Sequence, residues 1–198
     1  MLATMTALFQ RFAKNNTFYT PTLIMYKASA DFRELKPHPQ TKYVARSAHE
    51  RMLKASEQHK KYPDIAAGRK RILADLILLV GMMRQNGVKV MTGTDLSDGR
   101  IFPGFSLHEE LALLVEAGFS PNEAIQAATR VPAECLRLSD SGTIQQGKRA
   151  DVVLLSANPL DDIRNTTRID AVVLRGQLLT RGHLDALLRD AEVLAAKY

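Results

Sequence analysis

A chain of 198 residues holds one domain, or one domain with a small appendage. Its hydrophobic share of 45% fits an ordinary globular chain, and a single cysteine, Cys135, excludes an internal disulfide framework and any cysteine-cluster zinc site. A net charge of +6 comes from 27 Lys and Arg against 21 Asp and Glu. Most of that charge lies between residues 27 and 71, where a solvated helical face accounts for it. No RNP, zinc-finger or P-loop pattern accompanies it, so no nucleic-acid partner is expected. No apolar run reaches membrane-spanning length, and Met1-Leu2-Ala3-Thr4-Met5 lacks a basic leader, so a cytoplasmic protein with no membrane partner is expected.

Residues 3–14 predict a helix with Met5, Leu8, Phe9 and Phe12 on one face, ended by Asn15-Asn16. Residues 18–26 read as a buried strand carrying Pro21 near an end or a bulge, because proline removes a ladder donor. Lys36-Pro37-His38-Pro39 is a stiff break. Residues 41–61 predict a polar helix whose His49 and His59 are too far apart for one metal site, and solvated surface histidines are expected. Tyr62-Pro63-Asp64 breaks it. Residues 66–86 predict a helix with a buried stripe of Ile72, Leu73, Leu76, Ile77, Val80 and Met83, closed by Asn86-Gly87.

Val88 to Asp95 then predicts a strand ending on a carboxylate, followed by a loop and a capping box, Ser106-Leu107-His108-Glu109, that opens a helix. Strand, acid at its tip, loop and helix is how an α/β protein presents a catalytic or metal-binding group. The alternative is that Asp95 simply ends a buried strand. A second capping box, Ser120-Pro121-Asn122-Glu123, starts a helix to about Arg130, and a short one follows to Leu138, with Cys135 as a buried, inert thiol. Beyond Gly142 the texture changes to short strands: one through Val152–Leu155, one over Ile169–Leu174, a tight turn at Arg175-Gly176, and a partner over Gln177–Thr180. Residues 184–197 close the chain as an amphipathic helix.

Several pieces, in this order, resemble the C-terminal part of a metal-dependent amidohydrolase, near its imidazolonepropionase-like and Xaa-Pro-dipeptidase-like branch. They are Gly93-Thr94-Asp95, Ser106-Leu107-His108-Glu109-Glu110-Leu111, Glu116-Ala117-Gly118-Phe119-Ser120-Pro121, Glu123 to Thr129, Gly142 to Asp151, Asn158 to Ile163, and Val172 to Gly176. Tyr19 to Leu23 resembles the family's seventh barrel strand. The resemblance implies an α/β fold: the C-terminal part of a (β/α)8 barrel, its last two strands and their helices, plus part of a small β-sandwich. On that plan residues 1–140 are the partial barrel, 141–182 the β-sandwich appendage and 183–198 a C-terminal helix.

The resemblance further implies a hydrolase of carbon–nitrogen, amide-type bonds using a metal-activated water. Asp95 matches the strand-eight aspartate, a ligand to a divalent metal (zinc above others) and acceptor of the water's proton. His108, at the junction of loop and helix, is a substrate-binding candidate beside a local first-turn role. Lys148 and Arg149 are expected to be surface charges. The family's other ligands, a His-x-His, a Lys or Glu, and two strand-borne histidines, have no counterpart among the five histidines here. A full barrel takes roughly 250 residues. The chain is therefore expected to be the last part of a longer enzyme: a truncated frame, a fragment or half of a split protein. Two functions stay open. One is a hydrolase of small amide or dipeptide-like substrates, completed by an N-terminal half or by self-association through exposed barrel edges. The other is a non-catalytic remnant or interaction module that binds no metal alone.

Overall fold

A computed structural model describes residues 2–31, 38–51, 54, 63–96 and 101–198. Helix α1 (Leu2–Lys14) buries Phe9 against Met83 and Val88, with Met5 and Phe12 beside them. Leu8 is 46% exposed and leaves the expected face, since adjacent helical residues point about 100° apart.

Strand β1 (Phe18–Tyr19) lies parallel to β2 (Lys89–Val90), with Phe18 opposite Lys89 and Tyr19 opposite Val90. The strand expected over residues 18–26 is corrected. It ends at Tyr19, and the chain turns through Pro21 and a left-handed Thr22 (φ 48°) into helix α2, Leu23–Ala30. A short apolar run such as Leu23-Ile24-Met25 carries no period that separates a buried strand from a buried helix. Of the polar helix expected over 41–61, the structure gives a 3-10 turn at Pro39–Tyr43 and helical residues 46–51 and 54. His59 lies outside the described residues. His49 is half-buried with its Nδ1 shielded, rather than solvated.

Helix α3 (Pro63–Gln85) starts on the proline that the sequence marks as a break. At a first helical position the missing N–H costs nothing, because that donor has no partner there anyway. Val80 and Met83 are buried on its stripe, Leu73, Leu76 and Ile77 half-buried, and Ile72 is exposed. Gly81 sits so close to the Ala117 carbonyl that a side chain would collide with it.

Helices α4 (Ser106–Glu116), α5 (Pro121–Ala128) and α6 (Arg130–Cys135) follow β2. Leu111, Leu114, Phe119, Ala124 and Ala127 join Leu23, Ile24, Val80 and Val90 in the main core. The Ser120 capping box forms as expected: Glu123 N–H donates to Ser120 Oγ (3.2 Å) and Ser120 N–H donates to Glu123 Oε2 (2.7 Å). The Ser106 box does not form. Phe105 and Ser106 already donate their N–H groups to the Phe102 carbonyl, so the turn begins early and Phe105 is the cap. Cys135 is half-buried.

Strands β3 (Val152–Leu155), β4 (Ile169–Leu174) and β5 (Gln177–Thr180) form an antiparallel sheet in that order. Arg175 (φ 52°) and Gly176 (φ 80°) make the tight turn between β4 and β5; two consecutive left-handed residues match the sheet's twist. Helix α7 (Arg181–Lys197) packs on this hairpin and on the Pro39–Tyr43 turn, where Lys42 pairs with Glu192 at 2.7 Å. Val153, Leu154, Leu174 and Leu178 each stay at least half exposed, although such unbroken apolar runs suit strands covered on both faces. Among the described residues no helix is long and apolar enough to cross a membrane.

Candidate functional site

Beyond Val90 the backbone of β2 is held by two different neighbours. Met91 N–H donates to the Tyr19 carbonyl (2.8 Å), and Thr92 N–H to the Ala127 carbonyl at the end of α5 (2.9 Å). Gly93 then passes against β1's continuation. A side chain there would overlap Thr20 Cγ2 and lie 3.2 Å from Thr22 Cγ2. Glycine is required at this position by close packing, which is the physical content of the Gly93-Thr94-Asp95 motif. Both threonines branch at Cβ, which restricts their χ1 rotamers. Gly93→Ala is expected to destabilise the chain by about 1–3 kcal/mol, read by urea denaturation.

Asp95 follows two residues later, solvent-exposed and in the left-handed region (φ 47°), a conformation that aspartate tolerates better than most side chains. The next residues described, 101–105, form the turn into α4. They are roofed by the 38–43 segment: His38 stacks on Phe102 (centroids 4.4 Å, 10° between planes) and Tyr43 on Phe105 (5.4 Å, 12°).

His108 lies in the first turn of α4, half-buried, with Nδ1 2.9 Å from Thr166 Oγ1 in the 3-10 turn Ile163–Thr167. The Thr166 hydroxyl donates to the Ile163 carbonyl (2.8 Å), so its oxygen is left to accept from His108 Nδ1–H. That assigns the lone pair to Nε2. Burial holds the imidazole below its ordinary pKa and so favours the neutral ring. His108 thus ties α4 to the connection between β3 and β4. Lys148 donates to Thr143 Oγ1 (2.6 Å), and Arg149 pairs with Asp140 (3.0 Å).

The residue that sequence reasoning missed is Glu110. It is fully buried, and its carboxylate caps helix α2: Leu23 N–H donates to Oε1 (3.1 Å) and Ile24 N–H to Oε2 (2.7 Å). Burial pushes its carboxyl up to about 7, against the opposing pull of those two amides. The signal was present in the sequence. Ser106, Glu110 and Leu114 recur at i, i+4 and i+8, so a carboxylate sits on the helix's apolar stripe. Ser106, also fully buried, accepts a hydrogen bond from Phe102 N–H (2.9 Å). Among the described residues, no group of three or more His, Cys, Asp or Glu side chains is arranged to hold a metal ion.

Residues 14–179 match the amidohydrolase family model. The chain is 40% identical over 81 residues to an imidazolonepropionase of Deinococcus deserti, a match covering 40% of this chain and 20% of that protein. The crystal structure of a Xaa-Pro dipeptidase with methionine bound in its active site superposes with a TM-score of 0.64 at 24% identity, over 87% of this chain and 36% of that one. A bottromycin amidohydrolase superposes with a TM-score of 0.75 at 23% identity, over 90% and 40%. These two structural matches bear on the fold alone. The chain therefore spans about a fifth of that curated relative and well under half of either solved protein. With most of its length matched by the family model, the chain belongs to the amidohydrolase family and has an α/β fold of the amidohydrolase type.

Proposed function

We propose that this chain is the C-terminal portion of a hydrolase acting on carbon–nitrogen bonds of small amide or dipeptide-like substrates, with Asp95 as its contributed functional carboxylate. The observation that carries this is the position of Asp95: past the C-terminal end of β2, where β2 runs parallel beside β1, in a chain of the amidohydrolase family. In this reading β1 and β2 are neighbouring staves of a barrel, residues 141–182 are part of a β-sandwich appendage, and residues 183–198 are its closing helix. The half-exposed apolar side chains of β3 to β5 support a structure continued by other residues.

A carboxylate at a strand tip accepts the proton of a water attacking the amide carbon and returns it to the departing amine, a role worth roughly 10²–10⁴ in rate. His108, with Nε2 as acceptor, is a substrate-binding candidate of lower rank, because Nδ1 is committed to Thr166. A divalent metal, zinc first, belongs to the complete enzyme. A catalytic zinc takes about three protein ligands. The described residues of this chain do not by themselves fit one, so no step here is routed through it.

That same lack of a ligand cluster favours a second reading, a non-catalytic remnant or interaction module of the same fold. The two are separated by measuring zinc, manganese and iron in the purified chain, alone and mixed with a polypeptide supplying the remaining barrel strands, together with amine release from small amides and Xaa-Pro dipeptides. The hydrolase reading expects less than about a tenth of an equivalent of metal in the chain alone, and uptake plus turnover in the mixture. A folded mixture that stays metal-free and inactive would leave the remnant reading standing.

A further inference from the structure

Helix α2 begins without a local cap. Its N-cap residue, Thr22, is left-handed and makes no side-chain hydrogen bond to the first turn. A β-branched residue held at positive φ is strained, and such a conformation persists only where its surroundings enforce it. Here the enforcement comes from 86 and 87 residues away, through the two bonds from Ile24 and Leu23 to Glu110. A serine or aspartate at position 22 would cap the helix locally. Glu110 instead ties the turn to α4.

The same face of α4 also holds the residues just before the helix. Ser106, one turn before Glu110, accepts from Phe102 N–H, fixing the turn that enters α4. Thr20 and Thr22, on the turn that Glu110 holds, pack against Gly93. A fully buried carboxyl group is expensive, and the two backbone N–H bonds it accepts offset only part of that cost. We infer that Glu110 is a positioning residue: by locking the turn at Thr22 it fixes, through Thr20, Thr22 and Gly93, the backbone that carries Asp95. Its relevance to the reaction rests on the functional reading of Asp95 given above; the mechanical link does not.

Backbone amide spectra and hydrogen exchange of the whole chain test this, using E110Q, E110A and, as a control on the same helix, L114A. Leu114 is as deeply buried but purely apolar. Glutamine keeps one acceptor and turns a donor toward the second amide. In E110Q exchange should therefore rise at least about tenfold at one of Leu23 and Ile24, and the Gly93–Asp95 resonances should shift. E110A should raise exchange at both amides and shift the tip further. L114A, compared in conditions of equal overall stability, should leave the tip resonances in place. E110Q is isosteric and keeps the test readable if E110A does not fold. Unmoved Gly93–Asp95 resonances in E110Q, or equal movement in L114A, would overturn the inference. Should the tip move in E110Q while D95N retains full hydrolysis in the mixture with the remaining barrel strands, the positioning link stands and the functional reading falls. Should D95N abolish hydrolysis with the tip unmoved in E110Q, the link alone falls.

Discussion

The stability difference between E110Q and the wild-type chain is expected to change by on the order of 2–3 kcal/mol between pH 5 and pH 8, in favour of the variant at the alkaline end. Glu110 is pushed up to about 7 in the folded chain from an ordinary 4.5, chiefly by burial. Between those values the folded chain holds a proton that the unfolded chain has released. The contribution to stability is therefore fully present below pH ~4.5 and declines as pH rises through about 7. Glutamine carries no proton to lose, so the term vanishes in the variant. His108 acts with the opposite sign. Burial holds its imidazole low, so acidification through the ordinary histidine range costs stability. That titration is common to both proteins and cancels in the difference. Urea unfolding at several pH values measures it. A stability difference that does not vary with pH would mean that the carboxyl is solvated or permanently paired.

Elements with strong local chemistry were legible from the sequence. The Ser120–Glu123 box, the turn at Arg175-Gly176 and the strands Ile169–Leu174 and Gln177–Thr180 formed where turn residues and β-branched runs placed them. The parallel pairing of residues 18–19 with 89–90 also agrees with the order of motifs. What failed was decided by tertiary contacts. Residues 23–26 became helix because a distant carboxylate caps their amides, and no local window contains both partners. The Ser106 hydroxyl abandoned the expected box because its neighbours had already turned onto the Phe102 carbonyl. The Thr20 and Thr22 side chains that press on Gly93 come from a distant part of the chain and were not legible. Asp95 is a candidate by its place past a strand's end, which is a local pattern. Glu110 was overlooked because a charged residue beside Glu109 reads as surface until the buried stripe is traced through it.

On the role proposed for Asp95, its replacement with asparagine should remove the chemistry while sparing the fold. Asparagine adopts the left-handed region as readily as aspartate, so the backbone at φ 47° is retained, and the exposed side chain contributes little to the core. The amide cannot accept the proton of an attacking water and is a far weaker partner for a divalent cation. If Asp95 has the role proposed, the loss of kcat in a mixture of this chain with a polypeptide supplying further barrel strands is roughly 10²–10⁴-fold, with an unfolding free energy within about 0.5 kcal/mol of wild type. Alanine is a poorer test, since it adds backbone strain at positive φ.

The most direct measurement is metal content and turnover of that mixture, wild type against D95N, purified side by side. Bound metal and hydrolysis are expected in the wild type, and loss of hydrolysis with weakened metal retention in the variant. A D95N mixture that holds the same metal and turns over at the wild-type rate would contradict the role proposed for Asp95.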